Sequence, residues 1–493
     1  MRLANNLLAG LANSVVSALV GLAVVPLYIK YLGIEAYGLI GFFATTQAIL
    51  QLLDMGLAPT MNREVARHSA LGDLKQAGLL LHSLAVVYWS MAGIIALFIV
   101  ALAPLIAGYW LQSKQLAPQS ISHAVMLMGL VAACRWPIGL YQGALMGAQR
   151  LTVASGVNIT MVTLGSLGAV AVLALVSPTI EAFFIWQAGV GLAYAVIMRW
   201  AAWRVIGRLP DIRFDVVALK KIGRFSAGMG GITIMAIILT QLDKALLSKM
   251  LSLEDFGRYA LAGIVANSLY LIISPTFNVI YPHLSMLVAT GEKEKLLDFY
   301  RSGTRFLACL LFPFVIAFAI SSEYLVSLWT GDKLLATSVA PIIQLLMSGT
   351  ALNGIMNFPY ALQLASGMTR IPFIITICLA IILIPMTIYL TRLYGATGGG
   401  LSWLLLNSLY LVFGTWFMHR YLLKGIALAW LIHDVGVPFC VSMIIIVGGW
   451  QLAHTNGNDF INSLLSFVLA MLAFSFCVKA LLGQKVNWLW KMR

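Results

Sequence analysis

Charged residues are scarce in this sequence. Asp, Glu, Lys and Arg account for 10% of the 493 residues, whereas they account for about 25% of an ordinary soluble domain. Hydrophobic residues make up 61%, and apolar runs of about 20 residues, each long enough to cross a hydrocarbon core as a helix, recur from end to end. The composition excludes a soluble protein and predicts an all-α membrane protein with about 14 transmembrane helices.

Cysteine is equally scarce. The five cysteines all lie inside predicted spans, and none has the CxxC or Cys/His spacing typical of a metal site. We interpret them as small buried apolar residues. The sequence also lacks the GxxxxGK[ST] loop that binds ATP phosphates. We therefore expect neither a metal nor a cofactor.

Acidic residues are outnumbered by basic ones, 17 to 31. If the N-terminus is cytoplasmic, 23 cations fall in inward segments and 6 in outward ones, the positive-inside pattern of a protein with both termini in the cytoplasm. The charge therefore reports topology and implies no nucleic-acid partner. The first apolar run is long enough to remain as an anchor, so we expect no cleavable signal. The two remaining cations, Arg135 and Lys244, lie inside predicted spans.

An internal repeat divides the chain. A shift of 219 residues aligns YLGIEAYGLI (31–40) with MLSLEDFGRY (250–259), so that Glu35 meets Glu254 and Gly38 meets Gly257. We predict two parallel six-helix lobes plus two extra C-terminal helices, a known transporter plan. Channels also contain repeats, but this chain has no filter-like loop and no ring of like charges. The predicted boundaries are 1–206 for the first lobe, 207–221 for a cytoplasmic basic linker, 222–420 for the second lobe and 421–493 for helices 13 and 14 with a cytoplasmic tail.

Three segments carry a family resemblance. LLDMGLAPTMNREVARHSALGD (52–73) contains an Asp-Met-Gly-Leu turn followed by Arg63, and PLYIKYLGIEAYGLIGFF (26–43) and YGATGGGLSWLLLNSLY (394–410) accompany it. They resemble the polysaccharide transporters and Wzx-type lipid-linked oligosaccharide (O-antigen) flippases of the multidrug/oligosaccharidyl-lipid/polysaccharide (MOP) exporter superfamily. The resemblance covers predicted spans 1 to 12.

That resemblance implies two lobes in a V around a central cavity, no cofactor, and alternating access. It implies flipping of an undecaprenyl-pyrophosphate-linked oligosaccharide, an O-antigen or other surface polysaccharide unit, across a bacterial inner (plasma) membrane to its periplasmic face. Expected partners are the lipid-linked glycan, membrane lipid, and a polysaccharide polymerase with its chain-length machinery. Fourteen spans also leave room for lipid II, teichoic-acid or exopolysaccharide substrates.

Arg135 is the deepest charge in the sequence, within VAACRWPIG (131–139). An arginine at the bilayer centre costs about 2.5–3.5 kcal/mol and usually faces protein or water. Its neighbours at i+4, i+7 and i+8 are Gly139, Gln142 and Gly143, which predicts a face turned into the protein. Our hypothesis is that Arg135 is a cationic contact for a pyrophosphate in the cavity, with Gln142 a further substrate-binding candidate. The alternative is a structural arginine satisfied by a carboxylate or by carbonyls that Pro137 frees.

Other charged candidates are less specific. Lys244 either faces the cavity or reaches toward the outer interface. Asp243 and Asp54 are ion-coupling candidates for a proton or sodium, and the membrane potential is a further energy source. Arg63 could receive the pyrophosphate first, although the positive-inside rule already accounts for it.

Amides in several spans form polar stripes. They could bind sugar hydroxyls or tie helices together, and stripes from both lobes favour a hydrated interior. Pro26 and Pro275 are candidate hinges. The amide candidates are Asn13, Gln47, Gln51, Asn267, Asn278, Asn353 and Asn357.

Three alternative functions remain. A MATE-like multidrug or cation antiporter needs membrane-buried carboxylates, whereas the first span has none. A membrane glycosyltransferase or polymerase needs a catalytic loop with paired carboxylates, whereas the predicted loops are mostly under about 20 residues. A scaffold in a glycan-assembly complex stays open as an added role. The sequence favours a transporter, not an enzyme.

Overall fold

A computed structural model describes residues 2–207, 214–368, 370–454 and 458–482. The described chain is almost entirely helical, and its helices form two compact units, Met1–Gly257 and Arg258–Arg493. Residues 208–213 of the predicted linker and residues 483–493 of the predicted tail lie outside the described ranges.

The first unit begins with a helix of double length. α1 contains two helical segments that meet at Gly33, whose φ of 80° suits a residue without a Cβ atom. Pro26 lies inside α1, but the break is at Gly33. The helices are α1 (Arg2–Leu50), α2 (Leu57–Ala70), α3 (Leu74–Leu105), α4 (Pro118–Arg135), α5 (Ile138–Gly147), α6 (Leu151–Leu175), α7 (Ile180–Ile206), α8 (Val216–Met250) and α9 (Leu253–Asn267), which continues past the unit boundary.

The second unit contains another double-length helix, which breaks at Gly395 (φ 58°). Segments of wider π-helical geometry interrupt the C-terminal part at Tyr410–Gly414, Trp430–Gly436, Ile444–Gly448 and Val478–Leu482. The helices are α10 (Tyr270–Thr290), α11 (Lys293–Thr330), α12 (Lys333–Ile355), α13 (Asn357–Ala365), α14 (Arg370–Leu409), α15 (Thr415–Tyr421), α16 (Ala427–Ala429), α17 (Val437–Met443), α18 (Gly449–Ala453) and α19 (Asp459–Cys477).

The predicted fold class is confirmed. Among the described residues, 11 helices are long and apolar enough to cross a membrane. Two of them, Leu8–Asp54 and Phe373–Tyr421, have 47 and 49 residues, enough for two crossings each. With α8, a further helix of 35 residues, the structure agrees with the predicted 14 spans.

Packing and sequence repeat divide the chain at different places. The repeat assigns 222–257 to the second lobe, whereas the first compact unit extends to Gly257 and therefore includes α8. A Cβ atom on Gly230 of α8 would lie 3.0 Å from the backbone of Met55, so the two segments are in close contact. The repeat-based boundaries stay a prediction about the ancestry of the chain.

Two glycines of α5 bring it close to α2. A Cβ atom on Gly143 would lie 2.6 Å from the carbonyl oxygen of Ala58, and one on Gly147 would lie 2.9 Å from the Val65 side chain. Small residues at such a spacing let two helix backbones approach each other in a membrane protein. The adjoining core includes Met61, Val65, Leu81 and Tyr141, all buried. α2 is therefore fixed to the first unit along one side.

The two aligned repeat motifs contact each other within the first unit. A Cβ atom on Gly38 would overlap the carbonyl oxygen of Leu253, and one on Gly257 would overlap the carbonyl oxygen of Ile34. Ile34 and Leu253 are themselves partners at the shift of 219 residues. Reciprocal contacts of this kind arise when equivalent segments are related by a two-fold axis. The contact places the two aligned motifs side by side, and the repeat stays a prediction.

An ion-pair cluster attaches the C-terminal helices to α11. Asp434 has a fully buried carboxylate, which accepts hydrogen bonds from Nε of Arg301 at 2.7 Å and Nε of Arg305 at 2.6 Å. Arg305 also donates through Nη1 to the carbonyl oxygen of Leu481 at 3.1 Å. Asp434 and Leu481 lie in the two C-terminal helices that the sequence predicts after the repeat. Arg301 and Arg305 therefore bond both of these segments to α11.

Candidate functional site

Arg135 is the last residue of α4, and Trp136 and Pro137 separate it from α5. Since proline has no N–H donor, the helix is interrupted immediately after the arginine. Gly139 and Gly143 do point into the protein, as predicted, but they pack against Ala58 of α2. α2 therefore covers that side of α5, and the predicted contact of Arg135 and Gln142 with substrate stays a prediction.

The guanidinium of Arg135 bonds a neutral partner. Its Nη2 donates to Oε1 of Gln187 on α7 at 2.5 Å, and Nε2 of Gln187 donates to the carbonyl oxygen of Gly165 on α6 at 3.4 Å. The guanidinium carbon lies 6.0 Å from the ring centroid of Phe43. Within the described part of the chain, Arg135 bonds neither a carboxylate nor a backbone carbonyl. Its positive charge is therefore uncompensated by any described acid.

A polar chain lies close to Arg135. Tyr194 donates its hydroxyl to Oδ1 of Asn158 at 2.6 Å, and Nδ2 of Asn158 donates to Oδ1 of Asn13 at 2.6 Å. The hydroxyl of Tyr194 is close enough to Arg135 for an electrostatic interaction, as is that of Tyr28. α1, α6 and α7 thus contribute hydroxyl and amide groups to one partly buried cluster in the first unit.

The other amide candidates of the first unit are less closely connected. Gln142 on α5 and Gln47 on α1 are partly exposed, and Gln51 is exposed. Gln51 and Asp54 belong to a 3-10 turn after α1, so they do not continue its helical face. Their predicted contact with sugars stays a prediction.

Asp54 has a local structural role. One carboxylate oxygen accepts the N–H of Ala58 at 3.3 Å, near the start of α2, and the other accepts the hydroxyl of Tyr88. Met55 and Gly56 follow with φ values of 47° and 73°, which turn the chain into α2. Its partners explain why an aspartate stands here, and ion coupling by Asp54 stays a prediction.

Lys244 and Asp243 lie side by side on α8. Nζ of Lys244 donates to the carbonyl oxygen of Thr240, one turn earlier on the same helix, at 2.8 Å. Asp243 is buried, with 4% of its surface exposed. The bond of Lys244 satisfies one of its three donors, so its predicted role in substrate binding stays open to test.

Arg63 lies on the exposed side of α2. Nη1 is 3.8 Å from Glu64, whose carboxylate is also 3.7 Å from Arg67. The side chain of Arg63 is 51% exposed, whereas that of Glu64 is 10% exposed. Reception of the pyrophosphate by Arg63 stays a prediction.

The second unit has its own amide cluster. Asn353 of α12 accepts the hydroxyl of Tyr270 at 3.0 Å and donates to Oδ1 of Asn407 at 2.9 Å. Nδ2 of Asn357 donates to the carbonyl oxygen of Gly354 at 2.9 Å. Asn353 thus ties α10, α12 and α14 together, whereas Asn267 and Asn278 are exposed. Asn353 and Asn357 bond other groups of the protein, so they fit the alternative in which amides tie helices together better than the one in which they bind sugars.

Several residues of these clusters are absent from the sequence-based candidates. They are Gln187, Asn158, Tyr194, Asn407 and Asp434. Asp434 carried a usable signal, since it is a lone acid within a predicted span, and Arg301 and Arg305 are spaced to share one partner. Gln187, Asn158, Asn407 and Tyr194 carried no such signal, because they are uncharged and their hydrogen-bond partners are distant in sequence. Among the described residues, no group of three or more His, Cys, Asp or Glu side chains could hold a metal ion.

The architecture and the buried polar clusters define a multi-pass membrane protein with a transporter fold. Three solved structures share that fold. The lipid II flippase MurJ in an inward closed conformation has a TM-score of 0.68 and 13% identity over 97% of this chain and 100% of its own. An inward-facing multidrug resistance MATE family transporter of the MOP superfamily has a TM-score of 0.67 and 13% identity over 82% of this chain and 94% of its own.

A third structure is a MOP superfamily transporter from Pyrococcus furiosus, described as having a binding pocket of reverse polarity. Its TM-score is 0.56, with 15% identity over 85% of this chain and 95% of its own. A search of curated protein sequences finds no match. The family model described as polysaccharide biosynthesis protein matches residues 29–340, more than half of the sequence. The chain belongs to this polysaccharide biosynthesis protein family.

Proposed function

We propose that this protein is a flippase that moves an undecaprenyl-pyrophosphate-linked oligosaccharide from the cytoplasmic to the periplasmic leaflet of a bacterial inner membrane. The observation that supports the proposal most directly is Arg135, whose guanidinium bonds the neutral amide of Gln187. A positive charge without a described counter-charge attracts an anion, and the forked donors of a guanidinium match phosphate oxygens. The pyrophosphate is the anionic part of the proposed substrate.

The surrounding groups suit a glycan headgroup. Asn13, Asn158 and Tyr194 form a hydrogen-bonded chain of amide and hydroxyl groups, whose tyrosine interacts electrostatically with Arg135, and such groups hydrogen-bond sugar hydroxyls in a partly wet site. The polyprenyl tail remains in lipid while the headgroup passes through the protein. This division of the substrate explains why a membrane helix contains both an arginine and neutral polar groups.

No cofactor is required for this step. Moving a negative charge out of an inside-negative cell is favourable by about 2.3 kcal/mol per charge per 100 mV, so about two charges on a pyrophosphate gain about 4–5 kcal/mol. Proton or sodium coupling through Asp243 or Asp54 would add to this term. The cytoplasmic termini, the polymerase and the chain-length machinery belong to the same proposal.

The comparisons support the proposal in two ways. The family is one of polysaccharide biosynthesis proteins, and MurJ, which shares the fold, is a lipid II flippase. The MATE transporter shares the fold as well, so fold alone leaves a multidrug exporter as the competing function. The neutral partner of Arg135 favours an anionic substrate over an organic cation.

Transport assays separate these functions. Wild-type protein in proteoliposomes should flip a short undecaprenyl-pyrophosphate oligosaccharide, and an imposed inside-negative potential should accelerate outward movement. Arg135→Ala should lower the rate by at least about tenfold, the equivalent of about 1.4 kcal/mol. The matched control is Arg204→Ala, which removes an exposed cation of α7 that lies over Trp200. Transport of an organic cation together with failure on the glycolipid would overturn the proposal.

A further inference from the structure

Gln187 is the only described side chain that hydrogen-bonds the guanidinium of Arg135. Its own surface is 7% exposed, whereas Arg135 is partly exposed. The amide is held in turn by the carbonyl oxygen of Gly165. The carbonyl end of Gln187 is therefore aimed at the arginine, and Arg135 is not fully enclosed by the protein.

The neighbouring helix is shaped for this arginine. A Cβ atom on Gly191, one turn after Gln187 on α7, would lie 3.1 Å from Cγ of Arg135. The glycine leaves room for the arginine stem along α7, and Gln187 then receives the head group. This arrangement fixes the guanidinium without neutralising it, because an amide oxygen carries only a partial charge.

Glutamate is the nearest alternative to glutamine in size and shape, and it would change the site completely. A carboxylate at 2.5 Å would form a charge-assisted pair with Arg135. That pair would cancel the positive charge and repel a phosphate. Whether the side chain at position 187 ends in an amide or a carboxylate therefore decides whether Arg135 is an anion receptor or part of an ion pair.

We propose that Gln187 is a neutral placeholder on Arg135, and that a phosphate oxygen of the substrate replaces Oε1 of Gln187 on the guanidinium during binding. This inference rests on the proposed function and adds a specificity-determining residue to it. Gln187 orients the empty receptor, and the arriving anion takes over its hydrogen bond. The ligand class is a phosphate or pyrophosphate group, free or on a lipid.

The test compares Gln187→Glu with Gln187→Met in the purified full-length protein. Binding of inorganic pyrophosphate is measured by calorimetric titration. Gln187→Glu should weaken binding by at least about 30-fold, because a like charge next to the ligand costs several kcal/mol. Gln187→Met, which removes the competing oxygen and keeps the volume, should bind within about threefold of wild type or more tightly. Gln344→Glu, an exposed substitution in the second unit, is the matched control.

The double variant Arg135→Ala/Gln187→Glu identifies the route of the effect. If Gln187→Glu acts through Arg135, it should add no further loss in the Arg135→Ala background. Equal binding by wild type and Gln187→Glu would overturn the inference, and so would a tenfold loss in Gln187→Met, which would make Gln187 a direct ligand. Should Gln187→Glu fail to fold, the Gln187→Met result alone decides between these outcomes.

Glycolipid flipping in proteoliposomes is measured beside binding so that the two proposals fail separately. A wild-type protein that flips the glycolipid while Gln187→Glu does so equally well leaves the function standing and removes the placeholder role. If the wild type flips the glycolipid but does not bind pyrophosphate, the function again stands and the placeholder role is again removed. A wild type that neither flips the glycolipid nor binds pyrophosphate overturns the proposed function itself.

Discussion

Each compact unit has arginine in helices long enough to cross the membrane, one residue in the first unit and two in the second, and the two sites differ in the acceptor that the arginines bond. In the second unit, Arg301 and Arg305 share the buried carboxylate of Asp434. In the first, Arg135 bonds the amide of Gln187. The carboxylate of Asp434 supplies a counter-charge inside its cluster, whereas the amide of Gln187 supplies none to Arg135. The comparison shows that two arginine sites in membrane helices can differ in the charge of their acceptor, and the proposed function assigns ligand binding to the site whose acceptor is neutral.

The largest effect that the comparison predicts is on stability in the second unit. Asp434→Ala leaves two guanidinium groups facing each other, and removal of one member of a buried ion pair costs about 3–5 kcal/mol. Thermal unfolding in detergent, followed by tryptophan fluorescence, should show a clearly lower midpoint. Asp434→Asn keeps an acceptor and should be less damaging. An unchanged midpoint for Asp434→Ala would mean that the cluster does not anchor the C-terminal helices.

A smaller effect on stability is expected at Arg135. Arg135→Met removes a charge that costs about 2.5–3.5 kcal/mol in a membrane, but it leaves Oε1 of Gln187 without its donor, at about 1–3 kcal/mol. These terms nearly cancel, so the unfolding midpoint should change by the equivalent of about 1 kcal/mol or less, while glycolipid flipping is lost. A destabilisation as large as that of Asp434→Ala would place Arg135 among the anchoring residues instead.

The smallest effect is expected for Arg63, the exposed member of a pair on α2. Arg63→Ala removes an interaction with Glu64 at 3.8 Å, in which the Arg63 side chain is 51% exposed. Because the exposed cation is screened by solvent and the distance is long, we expect a loss of about 1 kcal/mol or less. The unfolding midpoint should fall slightly at low salt, and the difference should vanish in about 1 M salt, where screening is strong. If flipping decreases at least about tenfold with stability unchanged, Arg63 takes part in substrate capture.

Sequence patterns predicted helices better than they predicted contacts. The all-helical class and the number of spans follow from hydropathy, which depends on neighbouring residues. The partners of Arg135 do not. Helical spacing placed Gly139 and Gly143 on an inward face, and both pack on α2, but it gave no sign of Gln187, which lies 52 residues away in sequence. Pro137 indicates a break in the helix from sequence alone, but only the structure shows that α5 then packs its glycine face on α2.

The sequence by itself determined that the chain crosses a membrane many times and that it carries an arginine deep in one helix. Transfer of apolar side chains into lipid and the cost of a buried charge are properties of each segment, so they can be calculated without the fold. Only the tertiary structure decided that Arg135 bonds an amide and that Arg301 and Arg305 share a carboxylate. Hydrogen bonds and ion pairs depend on distances of about 3 Å between residues far apart in sequence, and helix packing alone sets those distances.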